Sequence, residues 1–482
     1  MGKNKGLTPQ AEDFSAWYNE AIQKAELADH SPVRGCMVIR PWGYRIWELM
    51  QRDLDARFKE TGVENAYFPV FIPLSFIERE KEHLEGFAPE TAVVTHAGGK
   101  PLEEPLVVRP TSETIIYDMF AKWVQSYRDL PILINQWANV VRWEMRTRLF
   151  LRTSEFLWQE GHTAHATEPE AEERTLLILG VYREFMEEYL ALPVITGLKS
   201  SSETFAGALR TYSCEGLMRD NWALQAGTSH NLGQNFAKQF ELKYLAESGS
   251  LEYAWNTSWG VSTRLIGGLI MTHGDDQGVV CPPRLAPRQA VVVPIWKSDE
   301  DRARVLEVAH GIARELGDAI RIHVDDRDKM KPGAKYYEWE AKGVPLRLEV
   351  GPRDVDQGHV MTARRDRREK VPVKLEELAA DLPQRLETIQ AELLEAARER
   401  REASSHRDVT TYDRFREIYE GDGGFVYAGW CGSAACEEKV KADTKVTIRV
   451  LPDEEFLGGM TPETCVVCGG KAQSVAAWAR AY

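Results

Sequence analysis

Apolar and polar side chains alternate with a period of two between Asn139 and His165, which predicts a β-hairpin. The first half would have two faces: Arg142, Glu144 and Arg146 on one, and Val141, Trp143 and Met145 on the other, which is expected to be buried. A second run, Glu155–His162, would return with the aromatic side chains of Phe156 and Trp158. Because guanidinium groups bind phosphate and carboxylate bidentately, the arginine-bearing strand suits an anionic ligand. A surface hairpin with a solvated charged face is the alternative.

Helical periodicity predicts two amphipathic helices before this hairpin. They cover Ala11–His30 and Tyr44–Thr61, and Gly62 stops the second. The apolar segment Asn65–Pro73 follows as a short strand. Because proline inside a strand is usually confined to an edge or a bulge, Pro69 indicates an edge strand on which another chain could pack. An ordinary strand end would explain the proline equally well.

Three further stretches combine local structure with candidate chemistry. Leu106–Thr114 reads as a strand that turns into a helix, with Thr111 or Ser112 as the N-cap, and capping alone accounts for the sequence T-S-E-T. The small, polar run that starts at Ala223 would let a ligand approach the backbone closely. The glycine-flanked helix after Trp259 carries Arg264 in its early turns, as a paired structural residue or as a functional one.

After the proline-rich linker Pro282–Pro287, the pattern becomes βαβ, which predicts a compact α/β domain of about 100 residues. The expected elements are the strands Gln289–Trp296, Ala319–Val324 and Pro345–Gly351, and the helices Asp301–Leu316 and Lys335–Gly343. The run Arg364–Lys370 is the most basic part, and it would be either a solvated loop or a nucleic-acid contact. Val373–Ala403 is predicted to be mostly helical.

The composition indicates the number of domains and argues against a membrane protein. The 482 residues are 43% hydrophobic and 28% charged, which suits about three globular domains. There is no run of about 18 apolar residues that could cross a bilayer, and Met1–Thr8 has no apolar signal core, so we expect a cytoplasmic protein. The net charge of −14 argues against nucleic-acid binding by the whole surface, but it leaves room for a local basic patch.

Four of the seven cysteines lie in two close pairs near the C-terminus: Cys431 with Cys436, and Cys465 with Cys468. Tight C-x4-C and C-x2-C turns can bring four thiolates to one tetrahedral ion, so we expect a zinc site. Two disulfides are the alternative, although a reducing compartment disfavours them. With four cysteine ligands there is no open coordination position, so the zinc would be structural.

Three of these stretches together resemble one family. The Pro69 strand after a long helix, the Arg142 hairpin and the Arg264 helix are similar to motifs 1, 2 and 3 of the class II aminoacyl-tRNA synthetases. The resemblance narrows to the prolyl-tRNA synthetases through the following sequences: R-P-T-S-E-T, R-W-E-M-R, T-S-E-F-L-W-Q-E-G-H-T-A-H, F-A-G-A, Q-A-G-T-S-H, T-R-L-I-G-G-L-I-M-T-H-G-D-D-Q-G and K-Y-Y-E-W-E-A-K-G-V-P-L-R-L-E-V-G-P-R-D.

The form resembled is the archaeal and eukaryotic type, which lacks the editing insertion, since only about 100 residues separate His162 from Arg264. Thr153 and Ser154 depart from the motif 2 of this type, in which a second loop arginine is expected.

The resemblance implies an α+β fold in three domains. A class II catalytic domain, an antiparallel sheet with helices, would cover residues 1–285. An α/β anticodon-binding domain would follow at 286–400, and a small α+β zinc-binding domain at 401–482. It also implies a homodimer that forms through motif 1, tRNA(Pro) as the partner and no membrane association.

The activity implied is the ATP-dependent attachment of proline to tRNA(Pro) in two steps, through prolyl-adenylate. Arg142 would bridge the proline carboxylate and the α-phosphate, and Arg142 and Arg264 would be the catalytic residues. The residues implied for proline are Thr111, Glu113, Arg142, Trp158, Phe205 and His230. The residues implied for ATP are Arg142, Glu144, Arg152, Phe156, Gln225, Thr228 and Arg264. Mg²⁺ would share the polyphosphate charge. An apolar slot for proline discriminates weakly between small side chains, which leaves mis-activation of cysteine or alanine open.

The class II motifs are also compatible with two other functions. The chain could be a class II synthetase for threonine or glycine, or a non-catalytic RNA-binding relative. The second would be expected to have lost Arg142, Glu144 or Arg264, and all three are present. For anticodon recognition, the expectation rests on the basic residues of the second domain: Lys331, Lys335, Arg347, Arg353, Arg364, Arg365, Arg367 and Arg368.

Overall fold

The computed structural model describes residues 6–79 and 91–482. Most of the N-terminal segment Met1–Thr8, in which no signal core is predicted, therefore lies outside the described residues. Throughout the described ranges, no helix combines the length and the apolar composition that crossing a membrane requires.

A largely antiparallel sheet of eleven strands runs through the molecule, in the order β20-β21-β23-β22-β9-β10-β11-β14-β8-β7-β3, in which β20 is Ser405–His406, β21 Phe425–Trp430, β22 Thr447–Pro452 and β23 Ser474–Ala479. Its strands from the first 262 residues are β3 (Glu64–Asn65), β7 (Ile132–Val141), β8 (Glu155–His165), β9 (Val194–Leu198), β10 (Arg210–Leu217), β11 (Ala223–Gly233) and β14 (Trp255–Ser262). Smaller sheets contain β1 (Ala28–His30) with β2 (Met37–Ile39), β4 (Phe71–Pro73) with β6 (Lys100–Val108) and β5 (Ala92–Ala97), and β12 (Lys243–Leu245) with β13 (Leu251–Tyr253).

Helices pack against this sheet through one large hydrophobic cluster that includes Trp17, Phe58, Tyr182 and Leu265. The helices of this part are α1 (Phe14–Lys24), α2 (Pro41–Glu60), α3 (Leu74–Arg79), α4 (Glu113–Trp123), α5 (Glu168–Glu184), α6 (Asn235–Gln239) and α7 (Arg264–His273). The end of α2 is as predicted, because Gly62 adopts a φ of +83° that favours glycine.

Two predicted elements near the N-terminus need correction. The first helix ends at Lys24, and Ala28–His30 forms strand β1, which pairs with β2. The predicted strand Asn65–Pro73 is divided between β3 and β4, and Pro69 lies in the irregular segment between them. The edge position is confirmed for β3, since it is the terminal strand of the large sheet.

The predicted hairpin forms from β7 and β8, but its first strand is shorter than expected. Strand β7 ends at Val141, and the segment from Arg142 to Ser154 is a loop. The backbone N–H of Arg142 bonds to the carbonyl of Ser154 at 2.8 Å. Trp143 and Met145, predicted to be buried, are 47% and 73% exposed. The apolar face expected from the alternation is therefore absent beyond Val141.

The second sheet has five strands in the order β16-β15-β17-β18-β19 and its own hydrophobic core. The predicted parallel βαβ pattern is confirmed for its first three strands. The pattern missed two antiparallel strands, β18 and β19, and the basic run forms the turn between them. The elements are β15 (Ala290–Pro294), α8 (Asp299–Leu316), β16 (Ile322–Val324), α9 (Pro332–Ala341), β17 (Leu346–Val350), α10 (Pro352–Asp356), β18 (His359–Arg364), β19 (Lys370–Lys374) and α11 (Leu378–Ala403).

The C-terminal residues extend the large sheet of the first part. Strand β22 pairs with β9 through Leu451 opposite Leu198 and Pro452 opposite Gly197. A Cβ on Gly197 would lie 2.2 Å from the carbonyl oxygen of Leu451, so only glycine permits this approach. The elements are β20 (Ser405–His406), α12 (Tyr412–Glu420), β21 (Phe425–Trp430), α13 (Ala434–Thr444), β22 (Thr447–Pro452) and β23 (Ser474–Ala479).

Candidate active site

Two adjoining cavities open on one face of the large sheet, beside the loop between β7 and β8. The first has a volume of about 290 Å³ and the second about 230 Å³. The residues predicted to bind proline or ATP that line the first are Thr111, Glu113, Arg142, Phe156, Trp158, Phe205, Gln225, Thr228, His230 and Arg264. Glu144 and Arg152 line the second cavity, which shares Arg142, Phe156 and Arg264 with the first. The fold therefore brings together every residue of the predicted site.

Strand register explains why residues so distant in sequence meet here. Thr211 of β10 is opposite His230 of β11, which is opposite Ser258 of β14, which is opposite His162 of β8. Side chains in such a cross-strand row share one face of the sheet. A neighbouring row runs from Thr228 through Gly260 to Glu160, and Trp158 and Phe156 continue the same face of β8. These rows form the floor of the first cavity.

Three arginines meet where the two cavities join. The Nε of Arg142 donates to the carbonyl of Pro110 at 3.0 Å, and its guanidinium lies 5.3 Å from the centre of the Trp158 ring. Arg264 begins helix α7, and its Nε donates to the carbonyl of Leu151 at 3.2 Å. Burial, followed by repulsion from Arg152 and Arg142, lowers the pKa of Arg264 to about 10. This group remains charged at neutral pH, and an anionic ligand would relieve the repulsion.

The start of helix α4 supplies two buried hydroxyl groups that do not cap the helix. Ser112 occupies the N-cap position, but its hydroxyl donates to Glu160 at 2.5 Å. The Thr111 hydroxyl donates to Glu113, whose carboxylate is only 5% exposed and lines the first cavity. The interpretation of T-S-E-T as pure capping is therefore wrong, since the Thr111 and Ser112 hydroxyls donate hydrogen bonds to carboxylates of the cavity wall.

His230 stands in the cavity as a neutral imidazole. Burial, with smaller effects from the charges of His162 and Lys199, lowers its pKa to about 3. Its Nδ1 lies 2.9 Å from the hydroxyl oxygen of Thr211, which also accepts the backbone N–H of Phe205 at 3.0 Å. The Phe205 and His230 rings are 4.8 Å apart, so they form one continuous wall.

Several buried polar atoms of the cavity have no partner among the described residues. They are Nε1 of Trp158, Nδ1 of His162 and Oγ of Ser258. An unpaired buried polar group costs about 1–3 kcal/mol, so a small ligand with polar atoms would satisfy groups that the protein leaves open. The cavity is thus suited to a compact molecule that is part apolar and part polar.

The prediction from sequence missed several residues that line the first cavity: Glu160, His162, Lys199, Glu203, Thr211 and Ser258. A signal for two of them was present, because Glu160 and His162 continue the alternation of Phe156 and Trp158 along β8. Thr153 and Ser154, which depart from the motif, are 5% and 1% exposed. Ser154 holds the loop in place, since its N–H donates to the carbonyl of Gly35 at 2.8 Å.

The four paired cysteines converge as predicted. Their sulfur atoms all lie within 4.8 Å of one another, with 3.6 Å between Cys431 and Cys436 and 3.8 Å between Cys431 and Cys468. A tetrahedral ion with Zn–S bonds of about 2.3 Å requires sulfur atoms about 3.8 Å apart. The spacing therefore fits zinc, and the described residues form no disulfide here.

Half of the basic residues expected to contact RNA are buried and paired. Lys335, Arg347, Arg364 and Arg365 are at most 9% exposed. Arg347 lies within 2.5 Å of Glu340 and 2.9 Å of Glu349, and Arg365 donates to Asp275 through both its terminal guanidinium nitrogens. The expectation that these four side chains meet RNA is therefore wrong. The exposed members of the set are Lys331, Arg353, Arg367 and Arg368.

The C-terminal residue packs beside the loop of the second cavity. The guanidinium of Arg148 lies 4.7 Å from the ring centre of Tyr18 and 5.3 Å from that of Tyr482. The Tyr482 hydroxyl donates to Asp220, and its backbone N–H bonds to the carbonyl of Ala223 at 3.1 Å. The end of the chain is thus held beside the strand that carries Gln225 and Thr228.

Three family models match the chain in succession. The model described as "tRNA synthetase class II core domain (G, H, P, S and T)" matches residues 95–273. "Anticodon binding domain" matches residues 289–385, and "Prolyl-tRNA synthetase, C-terminal" matches residues 412–482. The predicted α+β fold class, with a class II core, an anticodon-binding domain and a C-terminal domain, is confirmed.

Individual proteins are similar over nearly their whole length. The proline–tRNA ligase of Natranaerobius thermophilus is 54% identical over 474 residues, with 97% of each chain covered. That of Chlorobium phaeobacteroides is 55% identical over 482 residues, with 99% of each covered. The crystal structure of prolyl-tRNA synthetase from Cryptosporidium parvum, complexed with halofuginone and AMPPNP, superposes with a TM-score of 0.94 at 42% identity, and 99% of each chain is covered.

Proposed function

Because the chain belongs to the prolyl-tRNA synthetases, which charge tRNA with proline, we propose that it works in two steps through prolyl-adenylate. In the first, a carboxylate oxygen of proline attacks the α-phosphorus of ATP, and the bond to the β-phosphate breaks to release pyrophosphate. In the second, a terminal ribose hydroxyl of tRNA attacks the prolyl carbonyl carbon, and AMP leaves.

The convergence of Arg142, Arg152 and Arg264 carries this proposal. The first step brings two anions together, so positioned cations lower its barrier by offsetting their repulsion. Arg142, in the wall of both cavities, would bridge the carboxylate and the α-phosphate. Arg264 and Phe156 would enclose the adenine, and Arg152 would bind the outer phosphates. A carboxylate nucleophile is already ionised, so the step needs no general base.

The remaining residues of the first cavity suit proline itself. Glu113 would accept the secondary ammonium, and Trp158, Phe205 and His230 would enclose the ring. Glu144 would accept the adenine amino group, with Gln225 and Thr228 at the ribose and phosphates. The wall discriminates against smaller side chains by only about 1–3 kcal/mol per methylene, so we propose weak activation of alanine and cysteine.

Magnesium and zinc would have different roles. Magnesium keeps several of its waters in protein sites and would bind chiefly through the phosphates of ATP, since Glu144 is already assigned to the adenine. The ion would supply positive charge to the polyphosphate. Zinc would be held by Cys431, Cys436, Cys465 and Cys468, where a closed set of thiolates gives it a structural role.

We further propose a homodimer with the domain limits 1–285, 286–400 and 401–482, acting in the cytoplasm. Large apolar side chains are exposed after the edge strand β3 and on the sheet of β4, β6 and β5: Tyr67 at 72%, Phe71 at 44% and Val93 at 46%. A symmetric partner could cover such a patch. Sedimentation at micromolar concentration should give the mass of two chains, and a fully active monomer would contradict the proposal.

The proposed activity is tested by pyrophosphate exchange into ATP with each amino acid in turn. We expect proline to support exchange far better than alanine or cysteine, and threonine and glycine to support none. Stronger exchange with threonine or glycine would contradict the assignment of the pocket. Trapping prolyl-adenylate in the absence of tRNA would test the order of the steps.

A further inference from the structure

A buried group of three charged side chains connects the C-terminal domain to the first cavity. Lys199, Glu215 and Arg449 have side chains that are 1%, 0% and 7% exposed. The Lys199 ammonium donates to Oε1 of Glu215 at 2.8 Å. The Nε of Arg449 donates to Oε2 of the same carboxylate at 3.0 Å. Arg449 lies on β22, whereas Lys199 follows β9 and Glu215 lies on β10.

Lys199 is the member of this group that reaches the cavity wall. Its backbone N–H donates to the carbonyl of Thr211 at 2.8 Å. Thr211 in turn accepts the N–H of Phe205 and contacts His230, the two residues proposed to enclose proline. The position of Lys199 is therefore coupled to the amino-acid side of the site, whereas Glu144 and Arg152 lie in the other cavity.

A second contact reaches the same segment from the C-terminal domain. The Ser202 hydroxyl donates to the carboxylate of Glu437, which lies on α13 directly after Cys436. Ser200 and Ser202 are also joined through their hydroxyls at 3.2 Å. Segment 199–205 is thus held directly by the C-terminal domain at Ser202, and indirectly at Lys199, whose partner Glu215 is bound by Arg449. The segment carries the cavity residues Glu203 and Phe205.

We propose that Arg449 is a positioning residue for the amino-acid pocket, acting through Glu215 on Lys199 and on segment 199–205. The C-terminal domain then contributes to proline binding without any of its residues touching proline. This inference rests on the proposed function of the first cavity as the proline site.

The physical reason lies in the buried carboxylate. The described residues offer Oε2 of Glu215 no donor other than Arg449, whereas Oε1 receives Lys199, Ser213 and the second nitrogen of Arg449. Without Arg449, one oxygen of a buried carboxylate is left unpaired, which is unfavourable enough to reorient the side chain. Lys199 would move with it, because Glu215 is its salt-bridge partner.

The test compares Arg449→Gln, Arg449→Lys and the control Arg183→Gln in proline-dependent pyrophosphate exchange. Arg183 also joins the two domains, through both its terminal nitrogens to Glu455, but it lies on α5 and lines neither cavity. We expect Arg449→Gln to raise the KM for proline about tenfold and the KM for ATP no more than about twofold. Arg449→Lys keeps the charge and should raise the proline KM only about threefold. Arg183→Gln should leave both values unchanged.

Thermal unfolding of each variant separates positioning from stability alone. An unchanged proline KM in either Arg449 variant, with or without a lower unfolding temperature, would overturn the inference. Equal rises in both KM values, or the same change in Arg183→Gln, would also overturn it. If Arg449→Gln does not fold, Arg449→Lys decides the matter. Pyrophosphate exchange by the parent protein is measured first. If the parent shows no proline-dependent exchange, the proposed function fails, and this result is distinct from a failure of the inference about Arg449.

Discussion

Glu160 and His162 lie side by side in the wall of the first cavity, with 3.0 Å between Oε2 and Nε2 and at most 2% exposure of either side chain. Burial alone would raise the pKa of Glu160, but the hydrogen bonds and charge of His162, with Ser112 and Gln136, bring it below its ordinary value. Glu160 thus stays ionised in the cavity wall, beside a histidine whose Nδ1 has no partner among the described residues.

Replacing Arg142 with alanine should reduce pyrophosphate exchange by at least about 100-fold, because one charged donor at a reacting centre contributes at least about that factor. Arg146→Ala is the matched control, since Arg146 lies in the same loop but lines neither cavity. Its exchange rate should stay near that of the parent. Similar losses in the two variants would mean that the loop needs its total charge rather than Arg142.

Replacing Glu113 with glutamine should raise the KM for proline about tenfold or more and leave the KM for ATP nearly unchanged. The amide keeps the shape but loses the charge that would pair with the proline ammonium. Steady-state exchange at varied proline measures the effect. Asp118→Asn, on the same helix but paired with Lys122 at 2.5 Å, should behave like the parent. A change in the KM for ATP alone would mean that Glu113 contributes to the ATP site and not to the proline site.

Purified protein should contain about one zinc per chain, and Cys465→Ser should lose it, because three thiolates bind the ion more weakly than four. Cys36 lies outside the cluster, so the control Cys36→Ser should keep its full zinc content. Metal analysis decides both. Since Glu437 follows the ligand Cys436 and contacts Ser202, zinc loss should also raise the proline KM. A normal zinc content in Cys465→Ser would refute the site.

Lowering the pH from about 7 to 5 should destabilise the protein partly through His273. Burial and then the charge of Arg400 lower its folded pKa to about 3, whereas an unfolded histidine has a pKa of about 6.5. Below about pH 6.5, the unfolded chain binds a proton at His273 that the folded chain does not. The free energy of unfolding therefore decreases as the pH is lowered, by up to about 1.4 kcal/mol per pH unit.

His273→Gln should flatten this dependence, measured as urea unfolding at pH 7, 6 and 5. The Nε2 of His273 lies 3.0 Å from the carbonyl of Leu190, to which a glutamine amide could also donate. His310→Gln, at an exposed position, is the control and should keep the parental slope. Parallel curves for the parent and His273→Gln would show that His273 does not titrate on unfolding.

Replacing Arg347 with alanine should lower stability rather than selectively weaken tRNA binding. Its guanidinium pairs with Glu340 and Glu349 and lies 4.0 Å from the Tyr336 ring centre. Removing one partner from a fully buried ion pair costs about 3–5 kcal/mol, and the loss here should be smaller, because Glu340 is 36% exposed and Glu349 keeps Lys370 at 2.7 Å. Chemical unfolding measures this loss, and the exposed Arg353→Ala should show almost none. A raised tRNA requirement at unchanged stability would restore the original RNA assignment.

Much of the site was predictable because motif residues and strand alternation are local in sequence. Arg142, Phe156 and Trp158 belong to one hairpin, and Arg264 opens a helix that glycines mark clearly. The burial of Trp143 and Met145 was mispredicted, since alternation cannot tell where backbone pairing ends. Arg449 could not have been found, because its partner Glu215 is 234 positions away in the chain and only the fold brings them together.

The pairing of β22 with β9 has a consequence for shortened forms of this chain. A chain ending near Ala403 would leave β9 as an edge strand that is paired only with β10, with Val194, Ile195 and Leu198 along it. Exposed strand edges of this kind recruit other chains into intermolecular sheets. We therefore expect such a truncated protein to aggregate, and added lysines on β9 to improve its solubility without restoring proline affinity.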